Sequence, residues 1–199
     1  KALVTNQDGD LNTAIGYLSM YKNTGGSENC TMGAWSMYHN TIGNNNVAIG
    51  HEALFLNSTG HNNVAIGHEA GYNGSALSSL LSNSNNTFLG AQTDLSPDTS
   101  SFSNSTALGY NSKITASNQI MLGTSSETIV AHGNVGIGTT TPLTTLDVSG
   151  VDAIGIPRGL DGDRPTGANV RVGQIRYNTT NDEFEGYQGA SGSEEWSAL

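Results

Sequence analysis

A five-residue pattern runs through the first two thirds of the chain: Asn, a residue that is usually β-branched, a small residue, an aliphatic residue, then Gly. It reads Asn12-Thr13-Ala14-Ile15-Gly16, Asn29-Cys30-Thr31-Met32-Gly33, Asn46-Val47-Ala48-Ile49-Gly50 and Asn63-Val64-Ala65-Ile66-Gly67, so its Gly returns every 17 residues. Looser copies stand at residues 86–90, 105–109, 119–123 and 134–138, where the spacing drifts between 14 and 23. Apolar and small positions alternate with period two, which predicts a short strand in each copy. One column then reads Ile15, Met32, Ile49, Ile66, Leu89, Leu108, Leu122 and Ile137; its strand neighbour reads Thr13, Cys30, Val47, Val64, Thr87, Thr106, Ile120 and Val135. The position between them is mostly small (Ala14, Thr31, Ala48, Ala65, Ala107, Gly136), as expected where two backbone layers approach closely, with Phe88 and Met121 as exceptions. Five residues after each Gly comes another apolar column, Tyr21, Tyr38, Phe55, Tyr72, Leu95 and Ile114, which predicts a second strand segment per unit.

A unit this short cannot bury its own core, so successive units are expected to stack as coils of a solenoid with strands about 4.8 Å apart. Asn-rich turns (Asn44, Asn45, Asn46; Asn62, Asn63; Asn85, Asn86) suit such a stack, because Asn tolerates the left-handed conformation and forms ladders along it. The longer spacings predict loops inserted at 75–84 and 94–103, with one or two helical turns over 75–81. The two apolar columns leave more hydrophobic wall than one narrow coil encloses, which predicts a homotrimer.

The sequence changes character near residue 142, dividing the chain into a repeat region, 1–142, and a small distal module, 143–199. All four Arg and nine of the seventeen acids lie in the distal module. Within the module, 174–178 and 183–187 read as two strands of a hairpin joined by Thr179-Thr180-Asn181-Asp182. Ile175 and Tyr177 fall on one face and Arg176 on the other. A lone hairpin is marginally stable, so its aromatic face is expected to need Trp196 and partner chains.

Composition narrows the function classes. Gly, Asn, Ser and Thr make up almost half of the 199 residues, which excludes a mostly helical fold. Seven Lys and Arg against seventeen Asp and Glu leave no basic stripe, so no nucleic acid partner is expected. The lone Cys30 forbids an intrachain disulfide. No apolar run approaches a membrane span, so no membrane insertion is expected. A chain opening on Lys1 is expected to be a segment of a longer protein.

Candidate chemistry is sparse. His51-Glu52 and His68-Glu69 occupy the same repeat position and offer metal-ligating types, yet without a His-Glu-x-x-His spacing they read as surface rows. Asp8 and Asp10 alternate like the start of a calcium loop, but Ser19 stands where the closing Glu would fall, and a turn is preferred. Residues 133–138 lack the G-x-G-x-x-G order of a phosphate loop. Asp161 and Asp163, flanked by Arg158 and Arg164, are paired acids of a kind that hydrolyses glycosides, although a solvated loop is simpler. No nucleophile, base and orienting group stand out together, so neither catalysis, cofactor nor metal is expected. Tyr17, Trp35 and Tyr110 follow the repeat Gly and suit either a sugar-binding surface or packing between chains.

The Asn-Val-Ala-Ile-Gly-His-Glu-Ala unit resembles the head repeat of trimeric autotransporter adhesins, which also occurs in bacteriophage tail fibres. The resemblance covers residues 12 to about 140 and implies an all-β, left-handed parallel β-roll whose three chains share a core. That core would hold Ile15, Met32, Ile49, Ile66, Leu89, Leu108, Leu122 and Ile137. The 17-residue spacing is longer than the adhesin unit, so details of the turns do not carry over. Residues 134–142 with Leu146-Asp147-Val148, and the runs 154–159, 173–180 and 184–187 with Trp196, resemble segments of phage and other viral fibre proteins. This favours a virion tail fibre that assembles with other phage tail proteins and adheres to a glycan or protein receptor on the host. A bacterial adhesin head on the outer surface and a glycan-cleaving tailspike are the alternatives. Receptor contact is expected at the distal end, where Arg158, Arg164, Arg176, Tyr187 and Trp196 gather the residue types common at recognition hot spots.

Overall fold

The computed structural model describes residues 1–72, 83–96, 102–149, 158–159, 175–190 and 193–198, with the backbone alone at 158–159, 188–190 and 193–198. The chain divides into two units, Lys1–Ile129 and Val130–Leu199. Among the described residues all regular structure is β, with no helix. The expected helical turn at 75–81 lies outside the described residues.

The first unit is a parallel β-solenoid. Its strands are β1 (Thr13–Ile15), β2 (Cys30–Met32), β3 (Val47–Ile49), β4 (Val64–Ile66), β5 (Thr87–Leu89), β6 (Asp94–Leu95), β7 (Thr106–Leu108), β8 (Lys113–Ile114) and β9 (Ile120–Leu122). Seven of them form one sheet in the order β1-β2-β3-β4-β5-β7-β9, every neighbour parallel and in register, so that Ala14, Thr31, Ala48, Ala65, Phe88, Ala107 and Met121 are aligned. At the spacing of paired strands the sheet is roughly 30 Å along the stack. The middle residue of each triplet points inward, and Thr31, Ala48, Ala65, Phe88 and Ala107 are fully buried. The flanking residues point outward.

The other wall departs from the expected second strand. In the first four coils the +5 column, Tyr21, Tyr38, Phe55 and Tyr72, lies in turns and is only half-buried; the core position is one residue earlier, at Met20, Met37, Leu54 and Gly71. The cause is a pair of left-handed residues in each turn: Leu18 and Met20 (φ 54° and 49°), Trp35 and Met37 (60° and 47°), Glu52 and Leu54 (57° and 51°), Glu69 and Gly71 (54° and 60°). The second of each pair turns its side chain inward and expels its successor. In the same turn of the next two coils only Gln92 and Asn111 are left-handed; β6 then pairs with β8, and Leu95 and Ile114 enter the core as the +5 residues. β6 also lies inside the stretch expected to be an inserted loop.

Coil four to coil five carries a volume exchange. Phe88 replaces the usual small residue, and Gly71 replaces the Met or Leu of the facing wall. A Cβ on Gly71 would stand 2.8 Å from Phe88 Cδ2 and 2.9 Å from Leu54 Cδ2, so the ring occupies the space that a side chain at 71 would need.

Two buried Asn ladders hold the coils in register. In the first, the backbone N–H groups of Asn29, Asn46, Asn63, Asn86 and Ser105 each donate to the Oδ1 of the preceding coil's Asn (Asn12, Asn29, Asn46, Asn63 and Asn86) at 3.0 Å. The Nδ2 groups of Asn12, Asn29 and Asn46 donate in turn to the carbonyls of Gly26, Gly43 and Gly60 in the following coil at 2.7–2.9 Å. Asn23, Asn40 and Asn57 donate to those same three carbonyls, and Asn6, Asn23 and Asn40 are linked amide to amide at 2.6–2.7 Å. The residue before the first ladder is left-handed throughout, and it is Asn in five of seven coils: Asn45, Asn62, Asn85, Asn104 and Asn118, φ 58–62°. Gly50, with φ 136°, is required twice over, because a Cβ there would also lie 2.2 Å from the carbonyl oxygen of Gly67.

In the second unit, β10 (Val135–Ile137) pairs in parallel with β11 (Leu146–Val148), so the eighth copy of the repeat belongs to a local two-stranded sheet across Pro142 and not to the solenoid stack. A four-stranded sheet follows in the order β12 (Arg158–Gly159), β13 (Ile175–Asn178), β14 (Glu183–Ala190) and β15 (Ser193–Ala198); β13 and β14 form an antiparallel hairpin, and β15 adds to its edge.

Removing a ladder amide orphans buried groups on two coils. Asn46→Ala is expected to destabilise the solenoid by on the order of 3 kcal/mol, whereas Asn62→Ala, in an exposed ladder, should cost on the order of 1 kcal/mol. Urea unfolding of both variants measures the difference. Gly71→Leu should cost about 3 kcal/mol or more through overpacking and backbone strain, and Phe88→Ala a similar amount through a cavity. The double variant restores the Leu and Ala that stand one coil earlier, at Leu54 and Ala65, and should unfold at a higher temperature than either single variant.

Candidate functional site

Two surfaces of the solenoid carry side chains that the fold does not consume. The first is the outer face of the seven-stranded sheet. Ile15, Met32, Ile66, Leu89, Leu108 and Leu122 are 38–54% exposed there, Ile49 is half-buried, and Thr13, Cys30, Val47, Val64, Thr87, Thr106 and Ile120 stand beside them. No charged residue interrupts either column across seven strands. The residues expected to form a shared core thus lie together on one outward face, except Ile137, which is exposed in the second unit.

The second surface comes from the turns. The left-handed residues at Gly+2 and Gly+4 throw the aromatics that follow them, at Gly+5, outward into a row: Tyr21 on Tyr38, Tyr38 on Phe55 and Phe55 on Tyr72, with centroids 5.3, 5.5 and 5.2 Å apart and planes 8°, 20° and 3° from parallel. A parallel row runs Trp35, His51 and His68, at 5.8 and 5.4 Å. His51 Nδ1 lies 3.6 Å from Glu52 Oε2, and His68 Nδ1 lies 3.8 Å from Glu69 Oε2. Between the rows, Leu18, Lys22, Trp35, Tyr38, His39 and Phe55 line an open groove of about 370 Å³. Lys22 Nζ donates to His39 Nδ1 at 3.3 Å and stands 5.4 Å from the centre of the Tyr38 ring. Burial, followed by the charge of Lys22, holds the pKa of His39 below its ordinary value of 6.5. The Tyr72 hydroxyl is pushed up by burial and then by Glu52, Glu69 and Asp94.

Of the aromatics singled out in the sequence, Trp35 joins this groove, Tyr17 is exposed one coil earlier, and Tyr110 is exposed on the sixth coil. Lys22 and His39 were not foreseen. Their signal is indirect: they follow the expelled aromatic in turns whose double left-handed geometry carries no Gly or Asn marker. Asp8, in a bend, and Asp10 are both exposed. Among the described residues, no group of three or more His, Cys, Asp or Glu side chains is placed to hold a metal ion, and no helix is long and apolar enough to cross a membrane.

In the four-stranded sheet of the second unit the polar face is the buried one. Arg176, Asn178 and Glu185 are almost wholly covered, with Arg176 Nε 3.8 Å from Glu185 Oε2 and Asn178 Nδ2 donating to Glu185 Oε1 at 2.7 Å. Ile175 and Phe184 are exposed, and Phe184 meets Tyr177 edge-on at 5.1 Å. Arg176, expected to meet a receptor, is thus almost wholly buried, with the Glu185 carboxylate beside it. Tyr187 is half-buried on β14 and pairs with Trp196 on β15; Arg158 lies on β12. Arg164, Asp161 and Asp163 lie outside the described residues.

His39 makes stability depend on pH. Its pKa is lowered in the folded chain, so as pH falls below about 6.5 the unfolded chain takes up a proton that the folded one resists. Stability should decline through that window and level off below the lowered folded value. Thermal unfolding from pH 7.5 to 5 should show a shallower decline for His39→Gln than for the unaltered chain.

No family model, no curated protein and no solved structure matches this chain. What it does must be inferred from its own surfaces.

Proposed function

We propose that this chain is a segment of a homotrimeric fibre, carried on a bacteriophage tail, that adheres to the surface of the host cell. The observation that carries the reading is the outer face of the seven-stranded sheet. An apolar column of this length, flanked by a second column without charge, is unusual on a monomer and suits a surface that another protein covers. A second copy is the occupant that fits best, because an in-register repeat presents the same columns at the same spacing on every chain. Each aliphatic side chain taken from half-exposed to covered contributes roughly 1 kcal/mol, and the gain repeats on every coil. The likeness of the repeat to adhesin heads and phage fibres favours three chains in a left-handed roll. The same likeness supports attachment over catalysis, with the turns and loops, which the stack does not consume, free to meet a receptor.

Two aspartate substitutions one residue apart test the assembly. Ala48→Asp puts a charge into the core of each coil and should prevent folding in any oligomeric state. Ile49→Asp should dissociate the trimer and cost several kcal/mol per chain if the outer face is covered, but no more than about 0.5 kcal/mol if that face is free. Native mass measurement of the unaltered protein gives the direct answer: a stable monomer of 20.7 kDa would overturn the proposal. Adsorption of fluorescently labelled protein to a panel of bacteria tests adhesion.

A further inference from the structure

We propose that the groove lined by Leu18, Lys22, Trp35, Tyr38, His39 and Phe55 binds an acidic sugar, with the indole of Trp35 against the apolar face of the pyranose ring and the Lys22 ammonium on its carboxylate. The inference rests on the adhesive reading in taking that sugar to belong to the surface being bound.

The aromatic surfaces in this region are not equivalent. In the row Tyr21, Tyr38, Phe55 and Tyr72 the rings stack on one another, and the two that line the groove, Tyr38 and Phe55, each have a stacked neighbour on either side. Trp35 is different: it is tilted by 37° against His51 and 43° against Phe55 and is 37% exposed, so its indole remains available to a ligand. Trp35 also departs from its column. The same turn position holds Leu18 in the first coil, then Glu52, Glu69, Gln92 and Asn111, and only at the first two coils is it apolar. The site is thus confined to one place on an otherwise repetitive stack.

Charge selects the ligand. Lys22 is one of three lysines in a unit that holds eight acids and no Arg. Among the described residues no carboxylate lies within ion-pairing distance of its ammonium, whose neighbours are His39 Nδ1 and the face of Tyr38. On the following coils Glu52 and Glu69 occupy the position of Trp35, so the groove runs from a cationic end toward an anionic one. A ligand with one carboxylate and an apolar ring face matches that polarity, and the groove's volume lies at the small end of the range for small-molecule sites. Burial, and then the charge of Lys22, disfavour a second positive charge on His39, in keeping with a ligand that carries one carboxylate.

Saturation-transfer NMR and calorimetry on the intact protein, with glucuronic acid and N-acetylneuraminic acid against glucose and N-acetylglucosamine, test the proposal. Acidic sugars should bind more tightly than neutral ones. Lys22→Met should weaken the acidic ligands by about tenfold or more and leave neutral ligands unchanged, and Trp35→Ala should weaken both. Equal binding of neutral and acidic sugars, no effect of Lys22→Met, or equal binding of acetate would each overturn it. Cell adsorption separates this claim from the one beneath it. If unaltered and Lys22→Met proteins adsorb equally, the groove is not the receptor site while the adhesive fibre stands. If the protein binds acidic sugars but adsorbs to no bacterium, the adhesive reading falls while the groove remains.

Discussion

The structure depends on one constraint: each coil satisfies its backbone through the coils before and after it, at a fixed spacing and in register. A coil of 17 residues has too few internal partners for its own N–H and C=O groups, and buried backbone groups left unpaired are costly. Register therefore repeats chemistry. If Asn46 is needed to receive the N–H of Asn63 and to reach the carbonyl of Gly60, then Asn29 and Asn63 are needed for the same reasons one coil away. The convergence of two amides, from Asn46 and Asn57, on the carbonyl of Gly60 ties two sides of the roll to one atom. The solenoid's order is thus as much a matter of buried amides as of apolar contact, in keeping with a core whose inward strand residues are mostly alanine.

This explains how much of the fold was legible. The strand triplets, their inward small residue and the Asn ladders can be read directly, because alternation and ladder chemistry are local and repeat in every coil. The opposite wall cannot be read the same way. Tyr21, Tyr38 and Phe55 look like core by hydrophobicity, while Met20, Met37 and Leu54 beside them are equally apolar. What decides between the two columns is a left-handed backbone at Leu18, Met20 and their equivalents, residue types that give no hint of it. A shift of one residue exchanges the faces, and the later coils, lacking the second left-handed residue, bury Leu95 and Ile114 as hydrophobicity alone suggests. The antiparallel hairpin of the second unit shows the same limit. Its strands and turn are legible, but the burial of Arg176 and Asn178 beside Glu185 is not, because those contacts lie across the strands.

The candidate surfaces follow from what stacking leaves unused. The outer sheet face is legible as a wall, since its columns alternate with the buried position; the groove is not, since it needs the expelled aromatics to be placed first. Only Trp35 among its lining residues breaks the repeat visibly. The sheet face and the groove also differ in kind. The face repeats over seven strands, suited to an identical partner with the same period, whereas the groove is built around Trp35, whose position holds no aromatic residue in the other coils.

That difference reflects how a repetitive stack acquires a specific feature. Any residue that changes in one coil is felt by its two neighbours, so a departure survives only with compensation or at the surface. Phe88 illustrates the first route: its ring enters a space that Gly71 vacates, and the wall closes at nearly constant volume. Trp35 and Lys22 illustrate the second, since both side chains leave the stack through turns whose backbone bonds are already made to adjacent coils, as in Trp35 N–H to the Tyr17 carbonyl at 2.8 Å and Lys22 N–H to the Tyr38 carbonyl at 3.1 Å. The backbone is thus insensitive to what these positions carry. Recognition chemistry in such a fold is free to change at the turns while the ladders beneath hold the register.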